Sequence, residues 1–199
     1  MTISLNKPTR RSVLQGMAGA AVVATPFAKA FALPASDITF ELDREGGWIH
    51  SLVAGKHVHS MSAESPSAMA FAADARLLHV AHAIAGYRGL PTGAVSHYRV
   101  HRNGSLALVT TQPLSLAAVI PHHIALSQDE QMLAIAAAEG GILNLLRVDE
   151  QRSAHEVIAT HRRIGASLPQ KFHFDSQGTL CVDEQQYAML DGRLARIGG

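Results

Sequence analysis

Pro121-His122-His123-Ile124-Ala125-Leu126-Ser127-Gln128-Asp129-Glu130-Gln131-Met132-Leu133-Ala134-Ile135, the start of the stretch PHHIALSQDEQMLAIAAAEGGILNLLRVD over residues 121–149, decides the fold. Alone it reads as a helix, because Ala, Gln, Glu, Met and Leu are good helix formers. Its recurrence overrules that reading. A proline followed by two apolar residues with one residue between them occurs as Pro66 with Met69 and Phe71, Pro121 with Ile124 and Leu126, and Pro169 with Phe172 and Phe174. A polar turn comes next each time: Ala73-Asp74-Ala75, Gln128-Asp129-Glu130 and Ser176-Gln177-Gly178. A second apolar segment follows: Leu77 to Val80, Met132 to Ile135, and Thr179 to Val182. The prolines stand 55 and 48 residues apart. Short strands and turns repeating with a period near ~50 residues are the signature of propeller blades.

Working outward, the first repeat continues past Val80 through a long loop, Ala85 to Gly93, into strands at Ala94–Val100 and Ser105–Thr111, with a turn at His101-Arg102-Asn103-Gly104 between them. Four antiparallel strands make one blade. The second repeat follows the same plan, with a turn at Gly140-Gly141 and strands at Ile142–Val148 and Glu156–Thr160. The third is expected to be cut short after Tyr187–Leu190 and a turn at Asp191-Gly192. Upstream, Ile38–Leu42 alternates as a strand and aligns with the third strand of the later repeats, so the first blade is expected to lack its inner half; Trp48 to Ser60 holds one more strand. The fold class is therefore all-β, a partial β-propeller of about three to four four-stranded blades. A helix over residues 127–160 is the alternative.

The 199 residues allow one ordinary domain. With 47% apolar and 17% charged residues the chain is globular rather than disordered. The single Cys181 excludes an internal disulfide, leaves no thiol pair for zinc, and reads as a small core residue.

The N-terminal segment is separate. Thr9-Arg10-Arg11-Ser12-Val13-Leu14-Gln15 reads as a twin-arginine export signal. The apolar run Gly16 to Phe27 follows, then cleavage candidates at Ala28-Lys29-Ala30 and Ala30-Phe31-Ala32. The run is too short for a membrane span, which needs about 20 residues. The expected organisation is a signal peptide over 1–32 and a propeller domain over 33–199. The partner this implies is the twin-arginine export machinery, and the location is periplasmic or secreted. Removing Lys7, Arg10, Arg11 and Lys29 leaves 13 basic against 16 acidic residues, a net charge of −3. With no basic stripe, nucleic acid is not an expected partner.

These repeats resemble the lactonase family of seven-bladed propellers, of the 6-phosphogluconolactonase and cycloisomerase type. The matching residues are Glu64-Ser65-Pro66-Ser67 with Phe71 to Leu78, Gly93 to Val100, the blade start Pro121-His122-His123-Ile124, and the turn Phe174-Asp175-Ser176-Gln177-Gly178. They run in the family's order from about residue 37 to 195. The departures are specific. Ala136-Ala137-Ala138 stands where the family often has Ala-Asn-Tyr, and Pro169-Gln170-Lys171-Phe172 where it has Pro-His-x-His. The family's first strand and its last blades have no counterpart here.

The resemblance implies hydrolysis of a sugar-acid lactone. Opening a lactone needs a base for water and donors for the developing oxyanion. His123 is the candidate catalytic residue; it maps onto a family position and is expected at the channel mouth, with His122 on the opposite face. His57 and His59 share a strand face, and His79 and His82 are three apart; no carboxylate or cysteine joins either pair at metal-site spacing, so no metal and no cofactor are expected. Ser67, Ser115 and Ser127 lack a nucleophile-elbow context, and the paired glycines Gly46-Gly47 and Gly140-Gly141 precede no helix that could cradle phosphate. The alternative to a hydrolase is a non-catalytic propeller serving as a binding or scaffold module. Under either reading an open ring leaves blade edges unpaired, so the chain is expected either to pair with a second copy in a homo-oligomer that closes the ring or to be poorly stable and aggregate.

Overall fold

The computed structural model describes residues 38–139, 141–148, 156–162, 169–190 and 193–198. Arg10, Arg11, the cleavage candidates and the Asp191-Gly192 turn lie outside the described residues. Among the described residues, fifteen strands form four antiparallel sheets, each built from consecutive strands. Sheet 1 holds β1 (Ile38–Asp43), β2 (Trp48–Val53) and β3 (Lys56–Ser62). Sheet 2 holds β4 (Pro66–Ala72), β5 (Leu77–His82), β6 (Ala94–Val100) and β7 (Leu106–Pro113). Sheet 3 holds β8 (Val119–Leu126), β9 (Met132–Glu139), β10 (Ile142–Arg147) and β11 (Glu156–Arg162). Sheet 4 holds β12 (Phe172–Phe174), β13 (Leu180–Val182), β14 (Gln185–Leu190) and β15 (Arg193–Gly198). The first strands β4, β8 and β12 lie side by side, and so do the last strands β11 and β15, which is the radial stacking of propeller blades.

The strands of sheets 2 and 3 are apolar on both faces because each sheet is covered on both sides. In sheet 2, Met69, Leu78, Val80 and Tyr98 pack toward Ile49, Phe40 and Met61 of sheet 1. The alternate residues Ala68, Ala70, Ala72, Leu77 and Ala81 pack toward Ile124, Leu133, Ile135 and Ile142 of sheet 3. Sheet 3 turns Ala134, Ala136, Leu143 and Leu145 to Leu180, Val182, Tyr187 and Leu194 of sheet 4. The alanines matter here: their small side chains admit the larger residues of sheet 3 at close-packed density. Each fully buried leucine or isoleucine in these seams stabilises by roughly 1.5–3 kcal/mol.

Polar ties cross the same seams. Ser51, on β2, donates to the Gly104 carbonyl at 2.6 Å, and Ser67, on β4, donates to the Pro121 carbonyl at 2.5 Å. Such bonds satisfy groups that are costly to bury unpaired.

The architecture matches the sequence expectation, the helix alternative is excluded, and corrections fall on sheet 1, on the third repeat and on Cys181. Ile38–Leu42 is the first strand of a three-stranded sheet; a hairpin turn at Ala54 (φ 49°) and Gly55 (φ 73°) splits the following segment into β2 and β3. Both turn residues are left-handed, as a two-residue hairpin of this twist requires. With β1 beside β4 and β3 beside β7, sheet 1 shows the second to fourth strands of a blade, so one strand and not its inner half is absent among the described residues. The third repeat gains a fourth strand, β15. The described part of residues 127–160 is strand and turn, not helix, because β8, β9 and β10 pair along their lengths. Cys181 is half-buried and pairs with His173, on the face opposite the buried Leu180 and Val182, so it is not a core residue.

Candidate functional site

Antiparallel pairing puts the start of each blade's first strand at the same end as the turn between its second and third strands. Pro66 opposite His82, and Phe172 opposite Val182, show this directly. The Arg44 turn of sheet 1, the 83–93 loop of sheet 2, the start of β8 and the Asp183 turn of sheet 4 therefore share one end of the molecule. The backbone link from Ile120 N–H to the Ile84 carbonyl joins two of these segments.

His123 sits on β8 just after a bulge. Pro121 pairs with Ala137 and His123 with Ala136, so one extra residue separates the two pairings. Neighbouring positions on β9 face opposite ways, hence Pro121 turns toward sheet 2 and His123 toward sheet 4. The imidazole is half-buried, its ring centre 5.9 Å from that of Phe172. Its side chain thus lies in the seam between sheets 3 and 4. Its Nδ1 atom is buried with no hydrogen-bond partner among the described residues.

Burial lowers the His123 pKa below 6.5, and the nearby His122 and Arg44 lower it further; Asp183 opposes them. These two charges come from the turns of sheets 1 and 4, far from His123 in sequence. Asp183 is held in place: its carboxylate accepts the backbone N–H groups of Gln170 at 2.6 Å and Lys171 at 2.9 Å. Lowered pKa keeps the imidazole neutral, and so able to accept a proton, at neutral pH. Neither Arg44 nor Asp183 was flagged in the sequence; isolated charged residues in turns carry no local signal of this convergence.

The other histidines regroup. The register pairs Ser51 with His59 but Leu52 with His57, so a bulge puts His57 and His59 on opposite faces rather than one. His57 instead meets His50, ring centres 5.5 Å apart, and both bond the Ser60 hydroxyl at 2.8 Å. His79 pairs across strands with His97, Nδ1 to Nδ1 2.7 Å, both essentially fully buried. His82 faces the other way, toward Glu64 and Ser96.

A family model described as "Lactonase, 7-bladed beta-propeller" matches residues 38–184. Among solved structures, the periplasmic gluconolactonase PpgL of Pseudomonas aeruginosa is similar at 16% identity with a TM-score of 0.62, over 84% of this chain and 52% of that one. A protein from Bacteroides fragilis, described as a candidate 6-phosphogluconolactonase, is similar at 16% identity and a TM-score of 0.51, over 67% of this chain and 41% of that one. A dihydro-haem d1 dehydrogenase, NirN, also matches, at 13% identity and a TM-score of 0.51, over 87% of this chain and 37% of that one. At such identities the likeness is one of fold. The chain spans about half or less of the length of these structures. No curated protein sequence matches it.

Proposed function

The chain belongs to the lactonase family of seven-bladed β-propellers, and on that premise we propose that it is an exported hydrolase that opens a sugar-acid lactone at His123. The observation that carries this reading is the setting of His123. It is a half-buried imidazole with lowered pKa, and Arg44 and Asp183 from two other sheets act on its charge.

In this reading His123 takes a proton from water, and the hydroxide so formed attacks the lactone carbonyl. The Arg44 guanidinium is the cation available to the developing oxyanion. Collapse of the tetrahedral intermediate breaks the bond to the ring oxygen, which takes the proton from His123, giving the open hydroxy acid. A hydroxyl of the sugar acid, bonded to the buried Nδ1, would recover the roughly 1–3 kcal/mol that an unpaired buried polar atom costs. Export rests on the Arg10-Arg11 motif and is in keeping with the periplasmic gluconolactonase of similar fold.

Trp48 and Leu190, 42% and 50% exposed on sheets 1 and 4, are the apolar side chains that a second copy of the chain would cover in this proposal. Light scattering of the purified chain reads that directly.

The test of the activity is hydrolysis of gluconolactone by the purified chain against the buffer rate, beside His123→Ala. The expected result is catalysis above buffer that falls about 10²-fold or more in the variant, the usual contribution of a general base. No catalysis above buffer would leave the non-catalytic binding module as the better reading.

A further inference from the structure

A cavity of about 200 Å³ opens in the seam between sheets 1 and 2, lined by Glu64, His82, Tyr87, Ser96, Tyr98 and Thr111 among others. It is separate from His123, which faces the seam between sheets 3 and 4. Its walls hold a nucleophile, a base and an orienting group in hydrogen-bond sequence. His82 Nδ1 lies 2.6 Å from the Glu64 backbone carbonyl, and His82 Nε2 lies 2.7 Å from Ser96 Oγ. Ser96 Oγ in turn lies 2.7 Å from Thr111 Oγ1.

The carbonyl fixes every proton in this chain. A carbonyl only accepts, so Nδ1 carries the hydrogen and donates it to Glu64 O. In the neutral imidazole Nε2 then bears the lone pair and accepts the Ser96 hydroxyl. Ser96, having given its one hydrogen to His82, accepts from Thr111. Burial lowers the His82 pKa below 6.5, with the Glu64 carbonyl bond and the Glu64 charge opposing, so the neutral form holds at pH 7. This is the arrangement of an activated serine: hydroxyl on base, base held in one tautomer by a third group. No local pattern signals the pair, because Ser96 sits mid-strand and 14 residues from His82.

We propose that Ser96 and His82 form a second site that accepts the acyl group of a small uncharged ester. The cavity is smaller than the pockets that hold drug-sized ligands. It is lined by hydroxyls, an imidazole, Glu64 and the apolar Ala63, Ile84 and Ala94, with no lysine or arginine to favour an anion. Ser96 Oγ attacks the ester carbonyl carbon as its proton passes to His82 Nε2. The bond to the leaving alkoxide then breaks, and the alkoxide takes that proton. Water, deprotonated by His82, releases the acid and restores Ser96. The phenol of Tyr98, a hydrogen-bond neighbour of Ser96, is the donor beside the reacting oxygen; burial holds the Tyr98 pKa up, so it stays protonated.

The test is covalent capture by diethyl p-nitrophenyl phosphate on the purified full chain, read by mass spectrometry, with p-nitrophenyl acetate turnover in parallel. The expected adduct lies on the tryptic peptide Gly89–Arg99, whose only serine is Ser96. It should be absent in Ser96→Ala, form about 10²-fold more slowly in His82→Gln, and form unchanged in His123→Ala. Loss of lactone hydrolysis in His123→Ala with labelling intact separates this site from the other. If His82→Gln does not fold, the pH profile of wild-type labelling decides. Glu64, Tyr87 and Tyr98 are the other titratable groups on the cavity. Labelling that declines in acid as His82 protonates supports the proposal, and a profile with no acid limb while the chain stays folded overturns it. A folded wild-type chain with Ser96 unlabelled, or a folded His82→Gln labelled at the wild-type rate, also overturns it.

Discussion

Glu130 accepts the backbone N–H of Ala73 at 2.7 Å, reaching from the β8–β9 turn of sheet 3 to the β4–β5 turn of sheet 2. The same carboxylate accepts from Asp74 at 3.0 Å and Ala75 at 3.3 Å. Three amides of one turn thus close on one side chain of the next blade. Glu130 holds a left-handed backbone, φ 57°, to do so. Hydrogen bonds to an ionised group contribute about 1.5–3 kcal/mol when sheltered, less where solvent competes. Glu130→Ala should lower stability by about 1–2 kcal/mol in urea unfolding. Glu130→Gly, which relaxes the backbone but also loses the carboxylate, should lie nearer wild type. Equal losses in the two variants would assign the effect to the carboxylate alone.

At Gly93 the 83–93 loop packs against Pro121 of β8 in sheet 3. A Cβ added there would lie 2.5 Å from Pro121 Cδ and 3.0 Å from the Ala118 carbonyl oxygen. A proline ring and a backbone carbonyl cannot move aside as a flexible chain end would. Gly93→Ala is expected to destabilise by about 1–3 kcal/mol through overpacking, and to shift the loop that roofs the Ser96 cavity. A thermal midpoint equal to wild type would show that the loop has more freedom than this contact allows.

The strands Ala94–Val100, Phe172–Phe174 and Leu180–Val182 are legible because each is a short segment with apolar residues at both ends, set between turn residues. The β2–β3 hairpin is not: Ala54-Gly55 lacks the Asn-Gly or Asp-Gly signal of its turn type, so two strands read as one. Strand β15 hid because Arg193 and Arg196 interrupt its apolar residues. His123 was visible through its motif, but its direction was not. The bulge at Pro121–His123 is a one-residue irregularity that flips the side chain, and no composition encodes it. Arg44, Asp183 and the Ser96–His82 pair depend on blade packing that joins distant segments, which lies beyond any local pattern.

Stability should fall with acid, and the sign is fixed by two histidines. His82 and His123 both have folded pKa values below their unfolded value of 6.5. As pH drops through 6.5 the unfolded chain takes up protons that the folded chain refuses, so stability present above 6.5 is lost as pH falls toward the folded values. Urea midpoints measured from pH 7.5 to pH 5 should decline, and His82→Gln should flatten part of that decline. A midpoint independent of pH across this range would contradict the burial of both imidazoles.

The charges acting on His123 can be separated without any assay of activity. Arg44 lowers its pKa and Asp183 raises it. Arg44→Gln should therefore raise the His123 pKa read from its imidazole proton resonances, and Asp183→Asn should lower it. Asn is the right replacement at Asp183, since its side-chain oxygen still accepts the Gln170 and Lys171 amides and the turn survives. Because the variants move the pKa in opposite directions, a general loosening of the fold cannot mimic both: exposure alone would relieve burial and raise it in each. If lactone hydrolysis is detected, its acid limb should move the same way as the resonances in both variants, since the base and the titrating group are then one imidazole.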